Sequence, residues 1–165
     1  MMHVRFITGV SVLGTVLVAF SQHGLCALFL GDDSASLINA LQQTLPDQPL
    51  ELDESLSSLL HEQVIPFVES PATRHLDVVM DIKGTPFQQR VWQQLCTIRP
   101  GETLSYQELA SRIGSPKAVR AVAGACAANK LAVIIPCHRV LRTNGDISGY
   151  RWGVERKRWL LEKEA

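Results

Sequence analysis

Three short runs of β-branched and apolar residues, Val4-Arg5-Phe6-Ile7-Thr8, Thr15-Val16-Leu17-Val18-Ala19-Phe20 and Leu25-Cys26-Ala27-Leu28-Phe29-Leu30, follow one another with only Gly- and Ser-bearing turns between them. Runs of this length bounded by turn residues read as strands. Three in succession predict an antiparallel meander. The apolar content of residues 6–20 also raises the question of a secretion signal, but Gly9 and Gly14 cut it into strand-length pieces and no convincing small-residue cleavage site follows. The longest apolar stretch falls short of the roughly 20 residues a membrane-spanning helix needs, so no membrane partner is expected.

Asp33 is a helix-cap candidate, and Leu37, Ile38, Leu41 and Leu45 keep helical spacing up to Pro46. A second helical pattern, Leu56, Leu59, Leu60 and Val64, meets Pro66, which should kink or end it. Leu76-Asp77-Val78-Val79-Met80 reads as one more strand. Around Asp81 to Gly84 the charge changes sign: residues 1–80 carry 2 basic and 9 acidic side chains, residues 81–165 carry 14 and 7. The zero net charge of the whole chain therefore hides an acidic half and a basic one. The domain boundary is expected there, giving an α/β domain over 1–82 and a second domain over 83–165, and the basic half suggests a polyanionic partner. With 165 residues and 46% hydrophobic content the chain can bury a core in either arrangement.

The second half opens with Thr85-Pro86, a cap followed by proline at the first helical position, and Phe87, Val91, Leu95 and Ile98 form a core-facing stripe closed by Pro100-Gly101. Ser105-Tyr106-Gln107-Glu108 is a capping box, leading Leu109, Ala110 and Ile113 to Gly114. Ser115-Pro116 then caps another helix running to about Asn129, and the pair resembles a helix-turn-helix. At 100° per residue Val119, Val122 and Cys126 share one face of that second helix, opposite Arg120, Ala121, Gly124, Ala127 and Ala128. So bare a face either serves helix packing and propensity or lets the backbone approach a nucleic-acid groove closely.

Cys137 carries the chemistry. It stands in Ile134-Ile135-Pro136-Cys137-His138-Arg139-Val140, behind an apolar strand that Pro136 should end at an exposed turn. His138 beside it and the charges of Arg139 and Arg142 would favour the thiolate, the form in which cysteine attacks carbon. Direct contact with His138 needs a turn or a bridging water, because neighbours in a strand point to opposite faces. Cys26, Cys96 and Cys126 read as small buried hydrophobes. No Cys-x-x-Cys pair indicates a zinc ribbon or redox motif, and a reducing cytoplasm suits the four cysteines.

Taken together, Pro136 to Val140, Gly149-Tyr150, Gly84 to Trp92 and the Tyr106 to Asn129 segment resemble the O6-alkylguanine-DNA alkyltransferase family, also called methylated-DNA–protein-cysteine methyltransferases. The likeness covers the whole second half, while the first half is similar in element order alone. It implies a small ribonuclease-H-like α/β domain followed by a mainly helical, winged-helix-like domain. It also implies that Cys137 accepts the alkyl group, that His138 takes the thiol proton through a water, and that Asn129 steadies the turn presenting the cysteine. Glu164 stands at the place of the carboxylate that orients the histidine. Its position three and four residues after Leu161 and Leu160 lets it share their inward helix face, with Glu155 as the rival. By the same resemblance Arg120 fills the gap left by a base rotated out of the duplex, Tyr106 crowds the adjoining phosphate and protonates the departing guanine, and Gln107 joins the DNA contacts. The main-chain carbonyls of Cys137 and Val140 receive the guanine amino group, the amides at Tyr150 and Arg151 face O6, and Lys157 lies near the pocket.

The expected activity is irreversible, single-turnover transfer of methyl from O6-methylguanine, and also O4-methylthymine, in double-stranded DNA. A thioether has no good leaving group, and the base must leave the stack to be reached. A Cys-His protease would need an oxyanion hole that the sequence does not advertise. A non-catalytic lesion binder would lack the acceptor cysteine, and a plain DNA-binding regulator would consume no thiol. No cofactor is expected, nor a structural metal, because His23 and Cys26 lack evident companions. The chain shows no cysteine-rich amino-terminal extension, so regulation by self-methylation is not expected either. The protein is expected to act as a monomer.

Overall fold

A computed structural model describes residues 3–147 and 149–165, which form two compact units, Met1–Ile82 and Lys83–Ala165. In the first, β1 (Val4–Ser11), β2 (Gly14–Ser21) and β3 (Gly24–Gly31) run as the antiparallel meander that their spacing predicts, each hairpin turning over two residues. Val16, Leu17, Val18 and Ala19 are all fully buried, so both faces of β2 are covered. Helix α1 (Ser34–Thr44) packs on β2 and β3 through Leu37 and Leu41, and Asp33 caps it by accepting the Ser36 amide at 2.7 Å.

Beyond the sequence reading, β4 (Leu50–Leu52) adds a parallel strand beside β1, giving the order β3-β2-β1-β4. The predicted strand at 76–80 does not form. That segment makes a single bridge, Met80 to Leu25, held by hydrogen bonds on either side of Leu25. Nor does Pro66 end its helix. Helical structure runs from Glu54 through α2 (Ser57–Leu59), a π-helical turn (Leu60–Val64) and α3 (Ile65–Glu69). The wider turn, in which the Ile65 amide reaches back to the Leu60 carbonyl, comes directly before the proline, where a regular ladder would meet its ring.

The second unit is mainly helical. Helix α4 (Pro86–Leu95) starts at a complete capping box between Thr85 and Gln88, and it buries Val91, Trp92 and Leu95. The Trp92 indole N–H donates to the Ala125 carbonyl at 2.9 Å, tying α4 to the helix that carries Ala125. Strand β5 (Leu104–Ser105) leads into α5 (Tyr106–Arg112), whose capping box joins Ser105 and Glu108. Helix α6 (Val119–Ala127) begins later than the sequence suggests, because Ser115-Pro116 forms a tight turn, with the Ser115 carbonyl accepting the Ala118 amide, instead of a cap. Strand β6 (Val140–Leu141) pairs in parallel with β5, and α7 (Val154–Glu164) completes the unit. Among the described residues no helix is long and apolar enough to cross a membrane.

Candidate active site

The apolar residues before Pro136 are not a strand. They form a chain of tight turns that carries Cys137 to the floor of a cavity. The Ile134 amide bonds the Ala132 carbonyl at 2.7 Å across Val133, whose φ is 69°. The Cys137 amide bonds the Ile135 carbonyl at 2.8 Å across Pro136. These are two γ-turns, the first of the strained kind. Cys137–Arg139 then makes one 3-10 turn.

Asn129, fully buried just past α6, holds this loop from inside. Its Oδ1 accepts the Leu131 amide at 2.9 Å, and its Nδ2 donates to the Ile135 carbonyl at 2.9 Å and meets the Leu131 carbonyl and Cys137 Sγ at 3.3 Å. One side chain thus ties helix end, turn and thiol together.

Behind the thiol, His138 is fully buried and its Nε2 lies 3.1 Å from both carboxylate oxygens of Glu164. Helix α7 delivers Glu164 on the stripe Lys157, Leu160 and Glu164, whereas the rival Glu155 is exposed. Arg139 completes the cluster, with Nη2 2.6 Å from Oε2, Nε 3.0 Å from Oε1, and Nη1 donating to the Ile98 carbonyl at 2.6 Å. Arg139 therefore serves Glu164 and not the thiol, as its place beside Cys137 had suggested; Arg142 is exposed.

The electrostatics follow. Burial would raise the Glu164 carboxyl, but hydrogen bonds from His138 and Arg139, with their charges, outweigh it and hold the group at about 2. Burial lowers His138 below its usual value against the opposing pull of Glu164. The imidazole is then neutral at pH 7, and the carboxylate fixes its proton on Nε2 and leaves Nδ1 as a basic lone pair. Nδ1 has no hydrogen-bond partner among the described residues. Burial pushes the Cys137 thiol up to about 11, against the Asn129 amide, Lys157 and Arg151. The expected depression of the thiol is thus reversed: Cys137 is 4% exposed, and desolvation exceeds the help of the nearby cations.

The cavity over Cys137, of about 560 Å³, is lined by Tyr106 from α5, by Arg120, Cys126 and Ala127 from α6, and by Tyr150 and Arg151. Of the other residues singled out in the sequence, Gln107 is exposed on α5 and Val140 is buried at the start of β6. Lys157 is wholly buried, its Nζ 5.9 Å from the Tyr106 ring centre. Arg151 donates to the Asn129 carbonyl at 2.8 Å. Sequence reasoning missed Arg139 as the anchor of Glu164, Cys126 as part of the cavity wall, and Trp152, which is buried edge-on to Tyr150. It also took Cys96 as buried, whereas that side chain is exposed at the C-cap of α4.

In this α/β protein a protonated thiol faces the cavity, with a neutral imidazole and a clamped carboxylate buried behind it. The sequence model of the 6-O-methylguanine DNA methyltransferase DNA-binding domain matches residues 86–165. The bifunctional transcriptional activator/DNA repair enzyme Ada of Escherichia coli is 53% identical over 165 residues, which take in 98% of this chain and 46% of that protein. The Mycobacterium tuberculosis O6-methylguanine methyltransferase is similar in structure, with a TM-score of 0.73, 37% identity, and coverage of 99% of this chain and 93% of that one. The Mycobacterium tuberculosis OGT in complex with DNA gives a TM-score of 0.76, 37% identity, and coverage of 98% and 92%. The chain belongs to the O6-methylguanine-DNA methyltransferase family. It spans about half the length of the curated relatives it matches.

Proposed function

We propose that this chain repairs alkylated DNA by direct reversal, moving the methyl group of O6-methylguanine, and also of O4-methylthymine, in double-stranded DNA irreversibly onto Cys137. The observation that carries this reading is the buried His138–Glu164 pair set behind a cysteine on a cavity floor. A thiol held near 11 is protonated at rest, so its proton must leave as sulfur attacks. His138 receives it at Nδ1, by way of a water, and the imidazolium is stabilised by Glu164, which Arg139 keeps ionised. Asn129 donates to the developing thiolate and fixes its direction. The new carbon–sulfur bond is a thioether with no good leaving group, so each molecule acts once and no cofactor recharges it.

Reaching the carbon requires the damaged nucleotide to leave the stack. Helices α5 and α6 form the DNA-reading pair of a winged-helix-like domain over 83–165, which follows a ribonuclease-H-like domain over 1–82. Arg120, exposed at the cavity rim, takes the place of the extruded base. Tyr106 crowds the phosphate and protonates the departing guanine, and Gln107 contacts the backbone. The carbonyls of Cys137 and Val140 and the amides at Tyr150 and Arg151 read the base edge, with Lys157 beneath. The acceptor must stay reduced, which suits the cytoplasm, and one lesion per chain suits a monomer.

Intact-mass analysis after mixing the chain with a duplex holding one O6-methylguanine tests the reading. Gain of one methyl per chain, lost in Cys137→Ser, is the expected result. An unmodified protein with the lesion intact would overturn it.

A further inference from the structure

Cys126 looks from sequence like an inert packing residue, yet its side chain lines the cavity that Cys137 floors. The two thiols reach that space from separate elements, Cys126 from the inner face of α6 and Cys137 from the 3-10 turn. Asn129 connects them. Its backbone amide bonds the Cys126 carbonyl at 3.3 Å, and its side-chain amide meets Cys137 Sγ at the same distance. Lys157 supplies an independent observation: it is wholly buried, its Nζ has no hydrogen-bond partner among the described residues, and its charge acts on both thiols. Burial nonetheless pushes the Cys126 thiol up to about 12, with Lys157 pulling the other way, so Cys126, like Cys137, is protonated at rest and gives up its proton only as its sulfur attacks.

Resting on the reading of Cys137 as alkyl acceptor, we infer that Cys126 is a second nucleophile of this cavity, placed to capture the far carbon of a two-carbon adduct on Cys137. The substrate class is guanine bearing an O6-(2-haloethyl) group. In the first step the bond from Cys137 Sγ to carbon forms and the carbon–O6 bond breaks, and the thiol proton ends on the freed guanine. The product is a 2-haloethyl thioether.

The Cys137 sulfur then displaces halide to give a three-membered sulfonium ring. Cys126 Sγ opens that ring by forming its own bond to carbon, which restores a neutral thioether, and its proton leaves to solvent with the halide. No oxidant or further reactant enters. The chain is left with its two cysteines joined through a –CH2–CH2– bridge. A methyl adduct has no second leaving group and stops after the first step. Water is the competitor for the sulfonium carbon, and Val119, Ala123 and Ala127 make much of the wall apolar.

The test mixes the full chain with a duplex carrying one freshly made O6-(2-chloroethyl)guanine and, in parallel, with one carrying O6-methylguanine. Intact mass, peptide mapping and iodoacetamide labelling after denaturation are read on both. The expected chloroethyl product gains two carbons and two hydrogens, with the Cys126 and Cys137 peptides joined and neither thiol labelled. Cys126→Ser should turn it into an unbridged hydroxyethyl adduct on Cys137. Should that variant not fold, the wild-type peptide map decides alone.

A hydroxyethyl group on wild-type Cys137 with Cys126 still labelled, or capture of the second carbon by DNA, overturns the inference. If the methyl duplex modifies Cys137 in the same experiment, the acceptor reading survives that result. Absence of methyl on Cys137 would sink the acceptor reading itself.

Discussion

Arg139 and Glu164 form a two-pronged ion pair, with Nη2 to Oε2 at 2.6 Å and Nε to Oε1 at 3.0 Å, and His138 shares the same two oxygens. Because guanidinium stays charged at any ordinary pH, it keeps Glu164 ionised whichever form His138 takes. Glu164→Gln leaves Arg139 buried without a counter-charge, a change that costs about 3–5 kcal/mol. The pH dependence is separate and has a definite sign. A carboxyl held at about 2 in the folded chain, against an ordinary 4.5, contributes stability that is present above 4.5 and lost as pH falls through 2. Melting temperature should therefore drop steeply across that window in the wild type and less steeply in Glu164→Gln. Equal slopes in the two proteins would show that the pair is not coupled to folding.

On the proposed reading, the rate should report His138 and not Cys137. With the thiol near 11 and His138 lowered from 6.5, methyl transfer in a single turnover is expected to be flat through neutral pH and to fall only as His138 gains a proton. In His138→Gln the rate at pH 7 should drop by about 10²–10⁴. It should then climb tenfold per pH unit until the thiol ionises. Rapid-quench measurements across pH distinguish this from a preformed thiolate. A wild-type rate rising through about 8.5, the value of a free cysteine, would refute it.

Val133 is buried at a φ of 69°, and β-branched side chains resist that region. Val133→Ala and Val133→Gly both lose apolar burial, so the comparison between them isolates the backbone. At an ordinary position Gly is less stable than Ala by about 0.5–1 kcal/mol. Here the order should reverse, with Val133→Gly the more stable by about 1 kcal/mol, because glycine alone enters this region without penalty. Urea denaturation of the two variants measures it, and Val133→Ala proving the more stable would mean the γ-turn stores no strain.

What could be read in the sequence was local. The Ser105–Glu108 capping box and the Thr85 and Asp33 caps lie within four residues of chain, and the three strand runs carry their own turns. Glu164 was also within reach, since helical spacing puts it on the face of Leu160. Features that depend on distant partners were not. Segment 76–80 has strand composition but only one bridging neighbour, and β4 exists because β1 offers an open edge. Arg139 finds its carboxylate 25 positions away, so adjacency assigned its charge to Cys137 instead. The direction of the thiol shift failed for the same reason: charges near a cysteine are visible in a sequence, whereas its burial is not. Pro66 was expected to kink or end its helix, but helical structure runs through it, and the π-turn that precedes the ring has no simple signature.

Gly124 separates fold from function on α6. It is exposed beside Arg120, Ala121 and Ala127, and a Cβ built on it meets nothing within 4 Å. Gly124→Ala should therefore stabilise the chain by up to about 1 kcal/mol through helix propensity. Gly124→Glu should also fold, since an exposed glutamate suits a helix. If the bare face lets the α6 backbone approach DNA, the added carboxylate obstructs that approach and repels phosphate. Thermal melts alongside fluorescence anisotropy on a labelled duplex at fixed salt should show both variants folded, Gly124→Ala bound nearly as wild type and Gly124→Glu weakened at least tenfold, a loss of about 1.4 kcal/mol. Undiminished binding by Gly124→Glu would remove this face from the DNA interface and return its small residues to a packing role.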